Sequence, residues 1–122
     1  MVRELAFVVY SVRDVPRAQA FYRDVLGLKP GEWFNDEWIE FDLGNSTFGI
    51  DGTGEAIGMI PGASTGAAFE VDDIHAAAQR LRDAGVPVGE VREFPPCRMC
   101  FAHDPDGNRF MLHQRKTKAS SP

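Results

Sequence analysis

Asp104-Pro105-Asp106-Gly107-Asn108, running into Arg109-Phe110-Met111-Leu112-His113, is the stretch whose reading decides the fold. Pro presets φ at the second position of a turn, and Gly accepts positive φ beside Asp and Asn. Apolar residues flank the turn on both sides, Met99-Cys100-Phe101-Ala102 before it and Phe110-Met111-Leu112 after it. The pattern predicts a hairpin that closes a sheet in the last quarter of the chain.

Upstream of the hairpin, residues 66–71 read as a strand, Asp73 as a helix cap, 74–84 as a helix and Gly85 as its stop. The same order stands earlier. Residues 5–12 read as a strand, Asp14 as a cap with Pro16 in the first turn, and Gly27 as the stop. Between them Ala18, Phe21, Tyr22, Val25 and Leu26 fall at helical spacing. An offset of 59 residues, the distance from Val12 to Val71, also pairs Asp14 with Asp73, Ala18 with Ala77, Arg23 with Arg82 and Asp24 with Asp83. Residues 38–43 and 47–51 then read as strands of the first half, and 86–91, 98–103 and 109–113 as strands of the second. The glycine-rich stretch 52–64 reads as a loop. Repetition at this scale predicts a duplicated βαβββ unit. We expect one domain over 1–115: module one at about 3–52, a linker at about 53–64, module two at about 65–115, and a flexible tail at 116–122.

Composition excludes several classes. A chain of 122 residues with 43% hydrophobic and 25% charged residues has the make-up of one globular domain with its own core. No apolar run approaches the roughly 18 residues of a membrane helix, and no signal peptide is evident. A net charge of −5 argues against nucleic-acid binding and leaves cationic small molecules as partners. Two cysteines form no disulfide framework, so a cytoplasmic, reducing setting is expected. Cys97-Arg98-Met99-Cys100 lies on a predicted strand behind Pro95-Pro96. It lacks the helix N-terminus that lowers a redox thiol's pKa, and no second CxxC exists to complete a zinc site.

Three motifs in this order resemble the vicinal oxygen chelate superfamily of glyoxalase I, bleomycin-resistance proteins and extradiol dioxygenases. They are Asp14 with Ala20-Phe21-Tyr22-Arg23-Asp24-Val25-Leu26-Gly27-Leu28, Phe69-Glu70-Val71-Asp72-Asp73, and Asp104-Pro105-Asp106-Gly107-Asn108. The resemblance spans about residues 3–115. It implies an α+β fold in which two βαβββ modules form a curved mixed sheet around a central cavity, with helices outside. It also implies where a metal enzyme of the family would carry its ligands: positions 7, 49, 66 and 111. This chain has Phe7, Gly49, Gly66 and Met111 there, none a good donor for a divalent ion. The resemblance is closest to metal-free members, so no metal and no cofactor are expected.

Strand alternation predicts the cavity lining. With Tyr10, Ile39, Phe41, Phe48, Ile50, Phe110 and Leu112 in the core, the opposite faces carry Phe7, Trp38, Glu40, Asp42 and Asp51 in module one. In module two they carry Glu70, Arg109, Met111 and His113. Aromatic faces beside carboxylates suit a flat, partly cationic ligand. The candidate ligand-binding set is Phe7, Trp33, Trp38, Glu40, Arg98, Met111 and His113. Arg98 is weighed against a surface pair with Glu93 or Asp104. The expected function is metal-free binding or sequestration of a small aromatic or cationic compound by a homodimer. The rival is a metal-dependent glyoxalase- or dioxygenase-like enzyme using a non-standard set drawn from Glu40, Asp51, Glu70 and His113. A metal-free lyase or isomerase with Glu40 or His113 as general base is a third reading.

Overall fold

The computed structural model describes residues 1–116, and for Trp33 and Phe34 the backbone only. The fold is α+β and consists of two βαβββ modules. The first runs β1 (Val8–Ser11), α1 (Val15–Ala20), β2 (Lys29–Phe34), β3 (Trp38–Asp42) and β4 (Thr47–Asp51). The second runs β5 (Ala67–Glu70), α2 (Ile74–Asp83), β6 (Arg92–Glu93), β7 (Cys97–His103) and β8 (Arg109–Arg115). Each module builds a mixed four-stranded sheet with the same topology, β1-β4-β3-β2 and β5-β8-β7-β6. In both, the outer pair is parallel and the other ladders are antiparallel.

The repeat holds at the level of single residues. The offset of 59 places β1 on β5 end for end, Val8 on Ala67 and Ser11 on Glu70. Asp14 accepts a hydrogen bond from the Arg17 amide and Asp73 one from the Ala76 amide, both at 3.1 Å. Each satisfies an orphan donor of its helix's first turn. Both helices end at glycines in the left-handed region, Gly27 at φ 77° and Gly85 at φ 79°.

The chain divides into two compact units. One comprises Met1–Ser64 with Pro105–Asn108, the other Thr65–Asp104 with the segment from Arg109 onward. In the first unit α1 packs on β3 and β4. Its continuation at Phe21–Val25 widens to a π-helical turn, with the Leu26 amide donating to the Phe21 carbonyl at 3.1 Å. The wider turn lets two consecutive aromatics, Phe21 and Tyr22, both reach the core. There Tyr22 meets Phe48 at 5.0 Å and Phe41 at 6.1 Å between ring centroids. The buried turn residue Asn108 lies in this unit too. Its Oδ1 accepts from the Gly62 and Ser64 amides at 2.9 Å, and its Nδ2 donates to the Ser11 carbonyl at 2.8 Å. Asp106 accepts from the Arg13 amide and the Arg17 guanidinium, each at 3.1 Å. In the second unit Ile74, Ala78 and Leu81 of α2 are buried, and α2 packs on β7 and β8, whose buried residues include Cys100, Phe110 and Leu112.

Several expected boundaries move. The strand predicted at 5–12 begins only at Val8, and Leu5 and Phe7 are exposed. β2 carries no alternation that would mark it, since Pro30 and Gly31 interrupt it and its register with β3 shifts between Pro30 and Phe34. The strand expected at 86–91 reduces to a single bridge between Val88 and Ala102. Pro87 lacks an amide and Gly89 lacks a side chain to pack, so the ladder forms only at Arg92–Glu93. The last strand continues past His113 to Arg115. Lys116, expected in the tail, donates its amide to the Pro96 carbonyl at 3.0 Å; the rest of the expected tail lies outside the described residues.

Candidate functional site

In module one the register of β3 on β4 places Trp38, Glu40 and Asp42 beside Asp51, Gly49 and Thr47, away from the aromatic core. Gly49 has no side chain, and the Trp38 indole lies over it: a Cβ built there would sit 3.7 Å from the ring. The indole N–H donates to Glu40 Oε2 at 2.8 Å, and Phe7 meets the same ring edge-on at 5.4 Å. Phe7, Trp38 and Glu40 therefore form one platform, with Trp38 and Glu40 half-buried, Phe7 exposed at its edge, and the indole oriented by its own hydrogen bond. The other carboxylates of this face are committed to turns. Asp42 accepts from the Gly44 amide, and Asp51 accepts from the Thr53 amide and hydroxyl. The Trp33 side chain lies outside the described residues.

In module two Ala68 and Glu70 stand opposite Met111 and His113, with Phe101 and Met99 across the next ladder. A cavity of about 310 Å³ is lined by Thr65, Gly66, Phe101, Arg109, Phe110 and Met111. The Arg109 guanidinium stacks 3.6 Å above the Phe101 ring. Further along the same face His113 Nδ1 lies 2.6 Å from Glu70 Oε1, and Glu70 Oε2 accepts the Arg115 amide at 2.7 Å. Burial opposes ionisation of Glu70, but the Arg115 amide and His113 outweigh it and hold the carboxyl below its ordinary value of 4.5. Arg98 does not join this group. It pairs with Gln114 on the face that packs under α2, and its Nε donates to Glu93 Oε2 at 2.8 Å. Cys97 and Cys100, both buried, lie on opposite faces of β7, and burial pushes the Cys100 thiol up.

The Glu70 network carries a pH prediction. A depressed folded pKa means that ionised Glu70 contributes stability above pH 4.5, and that this is lost as pH falls through the folded value. Glu70→Gln is expected to cost about 1 kcal/mol at neutral pH, a figure kept small because the side chain is 39% exposed. It also flattens the loss of stability below pH 4.5. Calorimetry at neutral pH and near pH 4 checks this, and identical acid limbs in both proteins would remove Glu70 from the role.

Residues 4–112 match the sequence profile described as the Glyoxalase/Bleomycin resistance protein/Dioxygenase superfamily. This chain belongs to that superfamily. Its fold is similar to that of TnmS3, an antibiotic binding protein from Streptomyces sp. CB03234, with a TM-score of 0.79 at 24% identity over 94% of this chain and 98% of that one. A lactoylglutathione lyase from Agrobacterium tumefaciens gives a TM-score of 0.76 at 22% identity over 98% of each chain. A glyoxalase/bleomycin resistance protein from Streptomyces sp. CB03234 gives 0.72 at 26% identity over 89% of this chain and 100% of that one. Compared with the curated proteins, the sequence matches none.

The metal that the glyoxalase superfamily implies does not fit the residues present. Phe7 and Gly66 occupy equivalent places just before β1 and β5, and Gly49 and Met111 equivalent places opposite Val9 and Ala68. These positions offer two absent side chains, a phenyl ring and a soft thioether, and hard divalent ions bind none of them well. Among the described residues no three His, Cys, Asp or Glu side chains gather as a metal could use them.

The pocket's outer wall was the part hidden from the sequence. Phe101 lines it only because β7 pairs with β8 in the register that sets Phe101 opposite Met111. That register is a property of two strands together and is not carried by either alone.

Proposed function

We propose that this superfamily member binds a small aromatic or cationic compound, and does so without a bound metal ion. The observation that carries the reading is the module-two cavity. Gly66 and Met111 stand at two positions where the family's metal enzymes place ligands, and here they line a largely apolar slot with Phe101, over whose ring the Arg109 guanidinium stacks. An apolar slot with a few polar groups is what a small-molecule site requires. The platform of Phe7, Trp38 and Glu40 supports the cationic element, since aromatic faces and a carboxylate both attract positive charge. TnmS3, whose fold is similar, is an antibiotic-binding protein. A homodimer in the cytoplasm is part of this proposal, and sedimentation measures its first half.

Tryptophan emission titrated with a planar cationic heterocycle such as an acridinium tests the reading. Saturable quenching is expected, reduced in Trp38→Phe. Phe101→Ala strips one wall of the slot and should weaken binding by up to about tenfold. Loading with Ni, Zn, Mn or Fe(II), removal of the excess and elemental analysis tests the rival enzyme. About one tightly held ion per chain would overturn the metal-free reading in favour of a glyoxalase- or dioxygenase-like activity on non-standard ligands.

A further inference from the structure

The module-two cavity carries one charged side chain on its wall. Among the described residues that line it, Thr65, Gly66, Phe101, Phe110 and Met111 are uncharged, and Arg109 is the exception. Arg109 stands two residues before Met111, on the same face of β8, and its guanidinium lies 3.6 Å above the Phe101 ring. Stacking engages the flat face of a guanidinium. Its five N–H donors lie in that plane and point sideways across the ring, and five donors serve more than one partner at once. Such a fork matches the two oxygens of a carboxylate.

We infer that Arg109 sets the specificity of this slot, and that the slot takes an aromatic acid. Its ring lies against Met111 and Phe101, and its carboxylate meets Arg109. The inference rests on the small-molecule reading above and narrows it for module two. A cationic group belongs instead with Phe7, Trp38 and Glu40. The chain's net charge of −5 does not oppose this. Salt at physiological strength screens charges over about 8 Å, so the group on the cavity wall decides. Glu70 shares this face, but it stands opposite His113, about 13 Å of strand beyond Arg109. Neither turn carboxylate lines the cavity: Asp106 accepts from Arg13 and Arg17, and Asp104 is buried. A guanidinium that only covered Phe101 would add packing to every bound ring alike, whatever the ring's charge.

The test compares 2-naphthoate, 2-naphthamide and 2-naphthamidinium on the full chain. They share a ring system and a planar end group of the same shape, and they are anionic, neutral and cationic. The Met111 methyl and Arg109 Nε–H signals in NMR spectra report occupancy of the slot. At low salt the naphthoate should bind about tenfold more tightly than the amide, with the amidinium weakest, and the gap should narrow as salt rises. In Arg109→Met, which keeps an unbranched side chain at the slot without the charge, the three affinities should converge. Equal affinities for naphthoate and amide in the wild type, or a preference for the amidinium, overturn the assignment and leave small-molecule binding standing. An equal loss for all three compounds in Arg109→Met also overturns it, since Arg109 would then act by packing alone. If none of the three moves either signal while the acridinium still quenches tryptophan emission, the slot is not the site and the assignment falls alone. If the acridinium fails as well, the binding reading falls and the assignment with it. The wild-type titrations decide between these even if the variant fails to fold.

Discussion

Asn108→Ala lowers stability by on the order of 3–5 kcal/mol, which for a chain of 122 residues corresponds to a fall in Tm of roughly 12–20 °C. The side chain is fully buried and makes three bonds to backbone groups from two other stretches of chain: the Gly62 and Ser64 amides and the Ser11 carbonyl. Truncation leaves all three groups without this partner, so the loss exceeds that of one surface hydrogen bond. Asn108→Asp sharpens the argument. It keeps Oδ1 for the two amides and replaces the donating Nδ2 with an oxygen that faces the Ser11 carbonyl. It should therefore also destabilise, and more so at neutral than at acid pH, where the carboxyl can carry a proton back to that carbonyl. Thermal unfolding followed by circular dichroism reads both. A change below about 1 kcal/mol in Asn108→Ala would show that the turn does not hold residues 62–64 in solution.

Phe48→Ala is the second large effect. Phe48 lies 2% exposed on β4, with Tyr22 at 5.0 Å, Tyr10 at 5.1 Å and Phe41 at 6.4 Å between centroids. Removing the ring deletes its own burial and opens a void that the three neighbouring elements cannot all collapse to fill. The expected loss is about 3–5 kcal/mol. Phe48→Leu should cost nearer 1–2 kcal/mol, since it keeps most of the volume and loses the edge contacts. Trp38→Phe on the other face of the same sheet should cost less than either, because that ring is only half-buried. Equal losses at positions 38 and 48 would contradict the assignment of faces. Chemical denaturation of the three variants settles it.

The two sides of each sheet were legible in the sequence because period-two alternation survives in β3, β4 and β8. Ile39, Phe41, Phe48, Ile50, Phe110 and Leu112 point one way along these strands. The capping aspartates and stopping glycines were legible because each carries a local mechanism. β2 was not, since Pro30 and Gly31 erase its pattern, and the strand expected around Val88 failed because Pro87 and Gly89 weaken the ladder. At the candidate site, Phe7, Trp38 and Glu40 come together as platform neighbours, and Met111 and His113 share a face as alternation requires. Arg98 illustrates the limit. A guanidinium on a strand points to one face or the other according to where the strand begins, and β7 begins at Cys97, which turns Arg98 toward α2 and Glu93. The importance of Glu70 also depended on a parallel pairing between strands far apart in the chain, which local pattern does not specify.

The grouping of Pro105–Asn108 with Met1–Ser64 has a consequence for synthesis on the ribosome. All of β1 to β4 and α1 has been made by Asp51, yet the amides of Gly62 and Ser64 and the carbonyl of Ser11 wait for Asn108. The nascent first half thus lacks these three bonds until the closing turn of the second module has emerged. A fragment cut after Ser64 would lack the same four residues. The boundary between the two sequence repeats therefore differs from the boundary between the two compact units, because four residues of the second repeat belong to the first unit.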